Sequence, residues 1–292
     1  MNEMRAVAAA RCDGMRITEY LRREMGISVT LLKKVKYGGV FINEENVHMR
    51  ATVREGDRIL VRLPEEKSDG IRPIEMPLDI VYEDEYIIAV NKPRDMPTHP
   101  SKGNSLPTLA EGLMAYFDGS FVFRAINRLD RDTSGIVIVA KDAFTADKLS
   151  SQMKSFGYSK KYYAVISGIP KEKSGVIDAP IERVCEGNMK RCVRPDGKRA
   201  LTEYTVIATD GKERSLCEVT LHTGRTHQIR VHMAYIGHPL YADFLYGERI
   251  DGESYKLHAR EISFTHPITG EKTDLYSRSD FEDDKKWIYD VR

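Results

Sequence analysis

Cysteine and long apolar runs are both scarce in this 292-residue sequence. The four cysteines are too few and too irregularly spaced for a disulfide framework, and none of their spacings is that of a zinc site. The longest apolar run, residues 135–140, is far shorter than the roughly 18 to 20 residues of a membrane span. The first 15 residues show no secretory signal. We therefore expect a cytoplasmic protein with reduced thiols, no metal site and no contact with the membrane.

No charge of one sign dominates either, because the 45 Lys and Arg residues nearly balance the 44 Asp and Glu residues and leave a net charge of +1. A neutral sum can hide a basic face opposite an acidic one. Basic residues cluster at 33–36 and 183–199, whereas acidic residues gather at 83–85 and 280–284. The segment 183–199 is predicted to be a mobile basic loop, which is either simply solvated or in contact with nucleic acid.

The pattern of apolar residues predicts two units. Over residues 14–63 the pattern predicts a small module of two short helices and short strands. The polar composition of residues 64–75 predicts a linker. Residues 76–285 predict a larger unit with a hairpin at 80–90, helices at 109–117, 145–153 and 227–235, and several further strands. Strands outnumber helices and several are joined by short links. This favours an α+β fold with a mixed, largely antiparallel sheet flanked by helices.

The densest polar segment, residues 127–135, directly precedes an apolar strand. Arg128, Asp130, Arg131 and Asp132 place two guanidiniums beside two carboxylates, which is typical of a carboxylate held ionised by arginine. The same composition also fits a solvated turn with surface ion pairs. A carboxylate-pair hydrolase using Asp130 and Asp132 is a further alternative.

Two other segments carry candidate site residues. In residues 221–232, Thr223 or Thr226 is positioned to cap a helix, and Arg225 and Arg230 suit a phosphate or a carboxylate. His227 and His232 are not spaced to share one helical face, so anion recognition is favoured over a metal site. In residues 160–166, Tyr162 lies on one face of a predicted strand, where it serves either packing or function.

Together these segments resemble the RluA-type pseudouridine synthases over residues 76–285. The matching motifs are Arg128-Leu129-Asp130-x-x-Thr133-Ser134-Gly135, Lys160-x-Tyr162-x-Ala164, the segment GRTHQIRVH at 224–232, Asn91-Lys92-Pro93, and LHAR at 257–260 followed by His266-Pro267. One departure is Asn127, where that family usually has histidine. Residues 14–63 are similar to a ribosomal-protein-S-four-like RNA-binding module.

The resemblance implies an enzyme that isomerises uridine in RNA to pseudouridine, with no cofactor and no metal. Asp130 is then the catalytic aspartate, which either attacks the anomeric carbon or assists elimination to a glycal. Arg225 is expected to pair with Asp130, with Arg230 as the alternative, and Tyr162 is expected to stack on the base. The expected substrate-binding residues are Arg128, Ile229, Arg230, His227 and Gln228.

The partner implied is RNA, and ribosomal RNA of the large subunit is favoured over transfer RNA because of the N-terminal module. We expect the protein to act as a monomer. A non-catalytic RNA-binding protein remains an alternative, but Asp130, Tyr162 and Arg225 are all present.

Overall fold

The computed structural model describes residues 3–64, 66, 68, 70–101, 105–154, 157–283 and 287–288. Residues 65, 67 and 69 of the predicted linker lie outside this part, as do residues 284 and 285 at the end of the predicted larger unit. No helix within the described residues is long and apolar enough to cross a membrane.

The N-terminal module is a small antiparallel sheet packed against two helices. Its elements are β1 (Glu3–Val7), a 3-10 turn (Ala10–Cys12), α1 (Ile17–Arg23), α2 (Val29–Val35), β2 (Val40–Ile42), β3 (Glu45–Asn46) and β4 (Arg58–Arg62). The strand order is β1-β4-β2-β3. The strand β1 pairs with β4 over its whole length, so the module begins before residue 14. Charged residues flank the short apolar stretch of β1, which hides its strand pattern in the sequence.

The larger unit is built on one extended sheet. Its elements are β5 (Ile80–Glu83), β6 (Ile87–Lys92), α3 (Leu109–Tyr116), β7 (Ser134–Ala140), α4 (Ala143–Gln152), β8 (Tyr158–Ser167), β9 (Ser174–Asp178), β10 (Ile181–Arg183), β11 (Arg191–Val193), β12 (Leu201–Thr209), β13 (Arg214–Leu221), α5 (Gln228–Tyr235), β14 (Leu257–Thr265) and β15 (Lys272–Tyr276). The strand order is β5-β6-β7-β14-β8-β13-β12-β9, with β15 pairing β14. Because only the β7–β14 pair is parallel among these neighbours, the predicted mixed, largely antiparallel α+β fold is confirmed.

Helices cover both faces of the central strands. On β7, Val137 and Val139 belong to the same buried cluster as Leu109 and Leu113 of α3, whereas Ile136 and Ile138 belong to the cluster that contains Leu149 of α4. Burial on both faces explains why this strand is continuously apolar instead of alternating.

The junction between β7 and β14 requires a glycine. Gly135 has a φ of +110°, and a Cβ atom there would lie 2.3 Å from the carbonyl oxygen of Ala259. Only glycine tolerates both this backbone conformation and this approach. The close pairing fixes the loop before β7 against the start of β14.

Two short strands lie in and beside the segment 183–199, which the sequence predicted to be a mobile basic loop without strands. The strands β10 and β11 pair antiparallel, from Ile181 opposite Val193 to Arg183 opposite Arg191. Each strand is only three residues long, so its alternation is too short to recognise in a basic segment. Arg183, Lys190 and Arg191 therefore lie on a hairpin, called the basic hairpin below (residues 181–193), and Arg194, Lys198 and Arg199 follow it in the chain.

The module packs directly onto the larger unit. Phe144 of α4 belongs to the module's apolar core. The backbone N–H of Ser28 donates to Asp147 of the same helix at 2.9 Å. Glu66, in the predicted linker, accepts hydrogen bonds from Lys34 of the module and from Arg124 of the larger unit. These contacts hold the two units in one arrangement.

Candidate active site

Hydrogen bonds hold the loop that carries Asp130 at three alternate positions, 127, 129 and 131. Asn127 donates to the carbonyl of Ile136 and accepts from the N–H of Ile138, both at 2.9 Å. The Thr98 hydroxyl donates to the carbonyl of Leu129 at 2.9 Å. The buried Lys92 ammonium donates to the carbonyl of Arg131 at 3.1 Å. Asp130 thus projects from a backbone held on both sides.

Lys92 is a buried lysine whose hydrogen bonds to the described residues all go to backbone carbonyls. It donates to the carbonyls of Pro93 and Met96, each at 2.7 Å, in addition to that of Arg131. Burial lowers the pKa of its ammonium to about 7, although the nearby carboxylates of Asp132 and Asp130 oppose the shift. Its role here is to fasten the loop through backbone carbonyls.

Replacing Asn127 by alanine should destabilise the protein, because two buried backbone groups of β7 lose their partner. We expect the free energy of unfolding to fall by about 1–3 kcal/mol, the range for unsatisfied buried polar groups. Denaturant unfolding measures this change. Asn127→His, which restores the residue usual in the resembled family, is the matched control and should lose less. An alanine variant as stable as the wild type would contradict this account of the loop.

Arg230, not Arg225, faces Asp130. Its Nη1 lies 3.6 Å from Oδ2 of Asp130. Its Nε and Nη2 make a bidentate pair with the buried Asp243 at 2.7 and 2.8 Å. The guanidinium also lies over the rings of Tyr255 and Tyr246, at 4.4 and 5.0 Å from their centroids. Burial opposes the charge of Arg230, but the hydrogen bonds to Asp243 raise its pKa above the ordinary value.

The predicted pairing of Arg225 with Asp130 is therefore wrong. Arg225 is exposed in the turn before α5, and its Nε donates to the carbonyl of Arg199 at 2.9 Å. Arg230 lies in the first turn of α5, where burial and Asp243 fix its direction. Sequence spacing could not distinguish the two arginines, because their directions depend on how the turn meets the helix.

Gln228, which is predicted to bind substrate, has its side-chain amide hydrogen-bonded within the protein. Its Oε1 accepts from the N–H of Arg225 and from the Thr223 hydroxyl, both at 2.9 Å. Its Nε2 donates to the Leu201 carbonyl and the Thr202 hydroxyl at 3.0 and 2.9 Å. These four bonds use its full capacity. Gln228 therefore organises the turn before α5, and neither Thr223 nor Thr226 caps the helix.

His227 precedes α5 in a left-handed conformation, with a φ of +59°. Its Nε2 lies 3.7 Å from Oδ2 of Asp130, and its Nδ1 lies 2.8 Å from the hydroxyl of Tyr246. Burial lowers the pKa of its imidazole below the ordinary value, although Asp130 opposes the shift. The ring is therefore mostly neutral near pH 7.

Tyr162, on β8, is buried in the apolar core that also contains Ile229 and Met233 of α5. Burial raises the pKa of its hydroxyl far above the ordinary value, and the charge of Asp130 adds to the shift. The phenol is therefore protonated at neutral pH. Ile229 of α5 is likewise buried.

One cavity of about 340 Å³ brings the predicted site together. Its lining includes all eight predicted residues, namely Arg128, Asp130, Tyr162, Arg225, His227, Gln228, Ile229 and Arg230. Arg128 is exposed, in contrast to the buried Tyr162 and Ile229. The wall is therefore charged around Asp130 and apolar at Tyr162 and Ile229, a combination that is typical of a ligand-binding site.

The alternative of a carboxylate-pair hydrolase does not fit this geometry. Asp132 pairs with Arg131 at 2.9 Å and lines a second cavity, of about 550 Å³, which does not include Asp130. The two carboxylates therefore do not flank a common bond.

Four site residues escaped the sequence-based prediction: Lys160, which lines the cavity, and Asp243, Tyr246 and Tyr255, which surround Arg230. One signal was available for Asp243. It is an acid within the apolar and aromatic segment 240–247, and a buried acid requires a partner. Across the described parts of the chain, no group of three or more His, Cys, Asp or Glu residues is arranged to hold a metal ion.

Residues 86–235 match the family model described as RNA pseudouridylate synthase, just over half of the chain. The chain is 40% identical over 264 residues to the uncharacterized RNA pseudouridine synthase YjbO of Bacillus subtilis, covering 88% of this chain and 93% of that protein. It is 35% identical over 266 residues to the ribosomal large subunit pseudouridine synthase D of Zymomonas mobilis, covering 84% and 83%. The structure of human RNA pseudouridylate synthase domain containing 1 has 30% identity and a TM-score of 0.61, covering 72% of this chain and 88% of that one.

Proposed function

Since the chain belongs to the RNA pseudouridylate synthase family, and is thus an isomerase that acts on RNA, we propose that the cavity around Asp130 is where it converts uridine to pseudouridine. The observation that carries the proposal is the placement of Asp130 on a fastened loop, opposite a locked guanidinium, at the wall of a partly apolar cavity. The reaction detaches uracil from its sugar, turns it and rejoins it through carbon.

Asp130 is the proposed catalytic carboxylate. Both Arg230 and His227 lie next to its Oδ2. We assign the other oxygen, Oδ1, to the reaction. It either attacks the anomeric carbon of the ribose or removes a proton from the sugar in an elimination that gives a glycal. Both routes need an oriented carboxylate with a counter-charge at fixed distance.

Arg230 is the proposed counter-charge for Asp130. It is more rigid than an exposed arginine because Asp243 holds two of its nitrogens and two tyrosine rings flank its plane. Because such a cation is already oriented, little free energy is spent on reorienting it when charge develops in the transition state. Arg225, which the resemblance had favoured, is proposed instead for contact with the RNA backbone, because it is exposed at the same cavity.

Tyr162 and Ile229 are proposed to bind the uracil. The Tyr162 ring offers a stacking surface, and its protonated hydroxyl can pass a proton to or from the base. Ile229 supplies an apolar contact on the helix opposite. The target base must leave its stack to reach them, at a cost of a few kcal/mol. Exposed Arg128 is placed to hold the backbone or fill the vacated position.

The N-terminal module and the basic hairpin are proposed to bind the rest of the RNA. On α2, Leu31 and Val35 face the module's core, while Lys33, Lys36 and the neighbouring Tyr37 are exposed. Exposed cations beside an aromatic ring suit phosphates and an unstacked base. The contacts of the module with α4 then set how far this surface lies from Asp130.

Reversing two of these charges should weaken RNA binding without harming the cavity. For Lys33→Glu combined with Lys36→Glu, we expect the Kd for RNA to rise by about 10-fold and the salt dependence of binding to become less steep. Lys34 is left intact because it pairs with Glu66. The control reverses the exposed Lys171 and Lys212, between strands of the larger unit. Equal losses in the two double variants would refute a specific role for the module.

The favoured substrate is ribosomal RNA of the large subunit, because several relatives at 33–36% identity carry the name ribosomal large subunit pseudouridine synthase D. We further propose that the protein works in the cytoplasm as a monomer.

The test of the substrate is to map pseudouridine at single-nucleotide resolution in a strain without the gene and in its parent. Loss of a large-subunit site is expected. Loss confined to transfer RNA would favour the alternative substrate.

A further inference from the structure

Tyr246 links the basic hairpin to the active site through one hydroxyl group. The N–H of Arg191, in β11, donates to that hydroxyl at 2.9 Å. The same oxygen lies 2.8 Å from Nδ1 of His227. The ring of Tyr246 meets the His227 ring edge-on, with centroids 5.6 Å apart, and supports the Arg230 guanidinium. One side chain therefore touches both groups that flank Asp130.

The direction of these hydrogen bonds follows from chemistry. A backbone N–H can only donate, so the Tyr246 oxygen accepts from Arg191. The hydroxyl proton then needs an acceptor, and of the two partners that this hydroxyl has among the described residues, only Nδ1 of His227 can accept. Because a neutral imidazole carries one hydrogen, that hydrogen resides on Nε2.

This tautomer matters because Nε2 is the atom that faces Asp130. With hydrogen on Nε2, a donor lies 3.7 Å from Oδ2 of Asp130. Such distances commonly shorten when a substrate fills a site. With hydrogen on Nδ1, a bare lone pair would face the negative oxygen. The two hydrogen bonds of the Tyr246 hydroxyl, with the N–H of Arg191 and with Nδ1 of His227, thus favour the tautomer of His227 whose Nε2–H attracts the Asp130 carboxylate.

We propose that Tyr246 is a positioning residue for the isomerisation, which fixes His227 with its Nε2–H directed at Asp130. The proposal rests on the proposed function, in which Asp130 is the catalytic carboxylate. Together, the His227 donor and the Arg230 guanidinium fix Oδ2 from two directions, so that Oδ1 is aimed at the sugar. Tyr246 itself does not line the cavity.

The test is Tyr246→Phe, which keeps the ring beside Arg230 and removes only the hydroxyl. We expect kcat for pseudouridine formation to fall by about 10- to 100-fold, the range for a small misplacement of a reacting group. The Kd for RNA should change by less than about threefold, since no charge is altered. Tyr235→Phe makes the same change on an exposed tyrosine of α5 and should leave both constants unchanged. A fall in RNA affinity that accounts for the whole loss of activity would overturn the proposal.

A second measurement reads the tautomer without any assay of activity. In the 15N-labelled protein, the two ring nitrogens of His227 differ in chemical shift according to which one carries hydrogen, and His227→Gln assigns the signals. We expect hydrogen on Nε2 in the wild type and a mixture of tautomers in Tyr246→Phe. Hydrogen on Nδ1 in the wild type overturns the proposal. Failure of the proposed function would instead appear as absent pseudouridine formation by the wild type, with the expected tautomer unchanged.

Discussion

Replacing Asp130 by asparagine is expected to abolish pseudouridine formation while RNA binding survives. The amide has nearly the size of the carboxylate, but it can neither attack the anomeric carbon nor accept a proton from the sugar. We expect a rate loss of at least about 10,000-fold, as found when a reacting group is removed. The Kd should stay the same or fall slightly, because the variant removes a negative charge near the RNA. Single-turnover assays and filter binding on the same RNA measure the two effects.

Asp132→Asn is the matched control for that variant. It makes the same chemical change two residues along the same loop, but its side chain pairs with Arg131 and lines the other cavity. Activity should therefore be retained. If Asp132→Asn were inactive and Asp130→Asn active, the assignment of the catalytic carboxylate would be refuted.

Arg230→Lys is expected to have the second largest effect. Lysine keeps the charge, but its single ammonium cannot form the two-nitrogen pair with Asp243 and also face Asp130. We expect kcat to fall by about 100- to 1,000-fold, comparable with removing one preorganised electrostatic group. The free energy of unfolding should fall by about 1–3 kcal/mol, because part of the buried Asp243 loses its partner. Steady-state kinetics and denaturant unfolding separate the two effects.

Arg225→Lys is the corresponding control. Because Arg225 is exposed and does not face Asp130, its replacement should change kcat by less than about threefold, and it should change the free energy of unfolding by no more than the roughly 0.5 kcal/mol typical of surface substitutions. A larger loss for Arg225→Lys than for Arg230→Lys would restore the pairing first expected from the sequence.

The sequence predicted the larger unit well where local pattern decides the structure. The apolar run of β7, the hairpin of β5 and β6 and the helix that begins at Gln228 all appear within a few residues of their predicted bounds. It missed β1, β9, β15 and the basic hairpin. The strand β1 is identified by its pairing with β4, and the basic hairpin has strands of only three residues, so neither has a pattern of its own.

Site residues were predictable where a motif lies on a single segment. Asp130, Tyr162, His227 and Ile229 do share one cavity. The choice between Arg225 and Arg230 failed because it depends on Asp243, which comes 13 residues after Arg230 and contacts it only in the folded chain. The structural role of Gln228 was not predicted for the same reason, since its partners on β12 are more than 20 residues away. Contacts between distant segments decide such roles, and one sequence carries no direct record of them.

The most direct test of the account is to restore the gene to a strain that lacks it, once as the wild type and once as Asp130→Asn, and to map pseudouridine in its ribosomal and transfer RNA. We predict that the wild type restores the modification at one or more uridines of the large-subunit RNA and that the equally abundant variant restores none. Restoration by Asp130→Asn would contradict the catalytic assignment, and an unchanged map in all strains would contradict the proposed substrate.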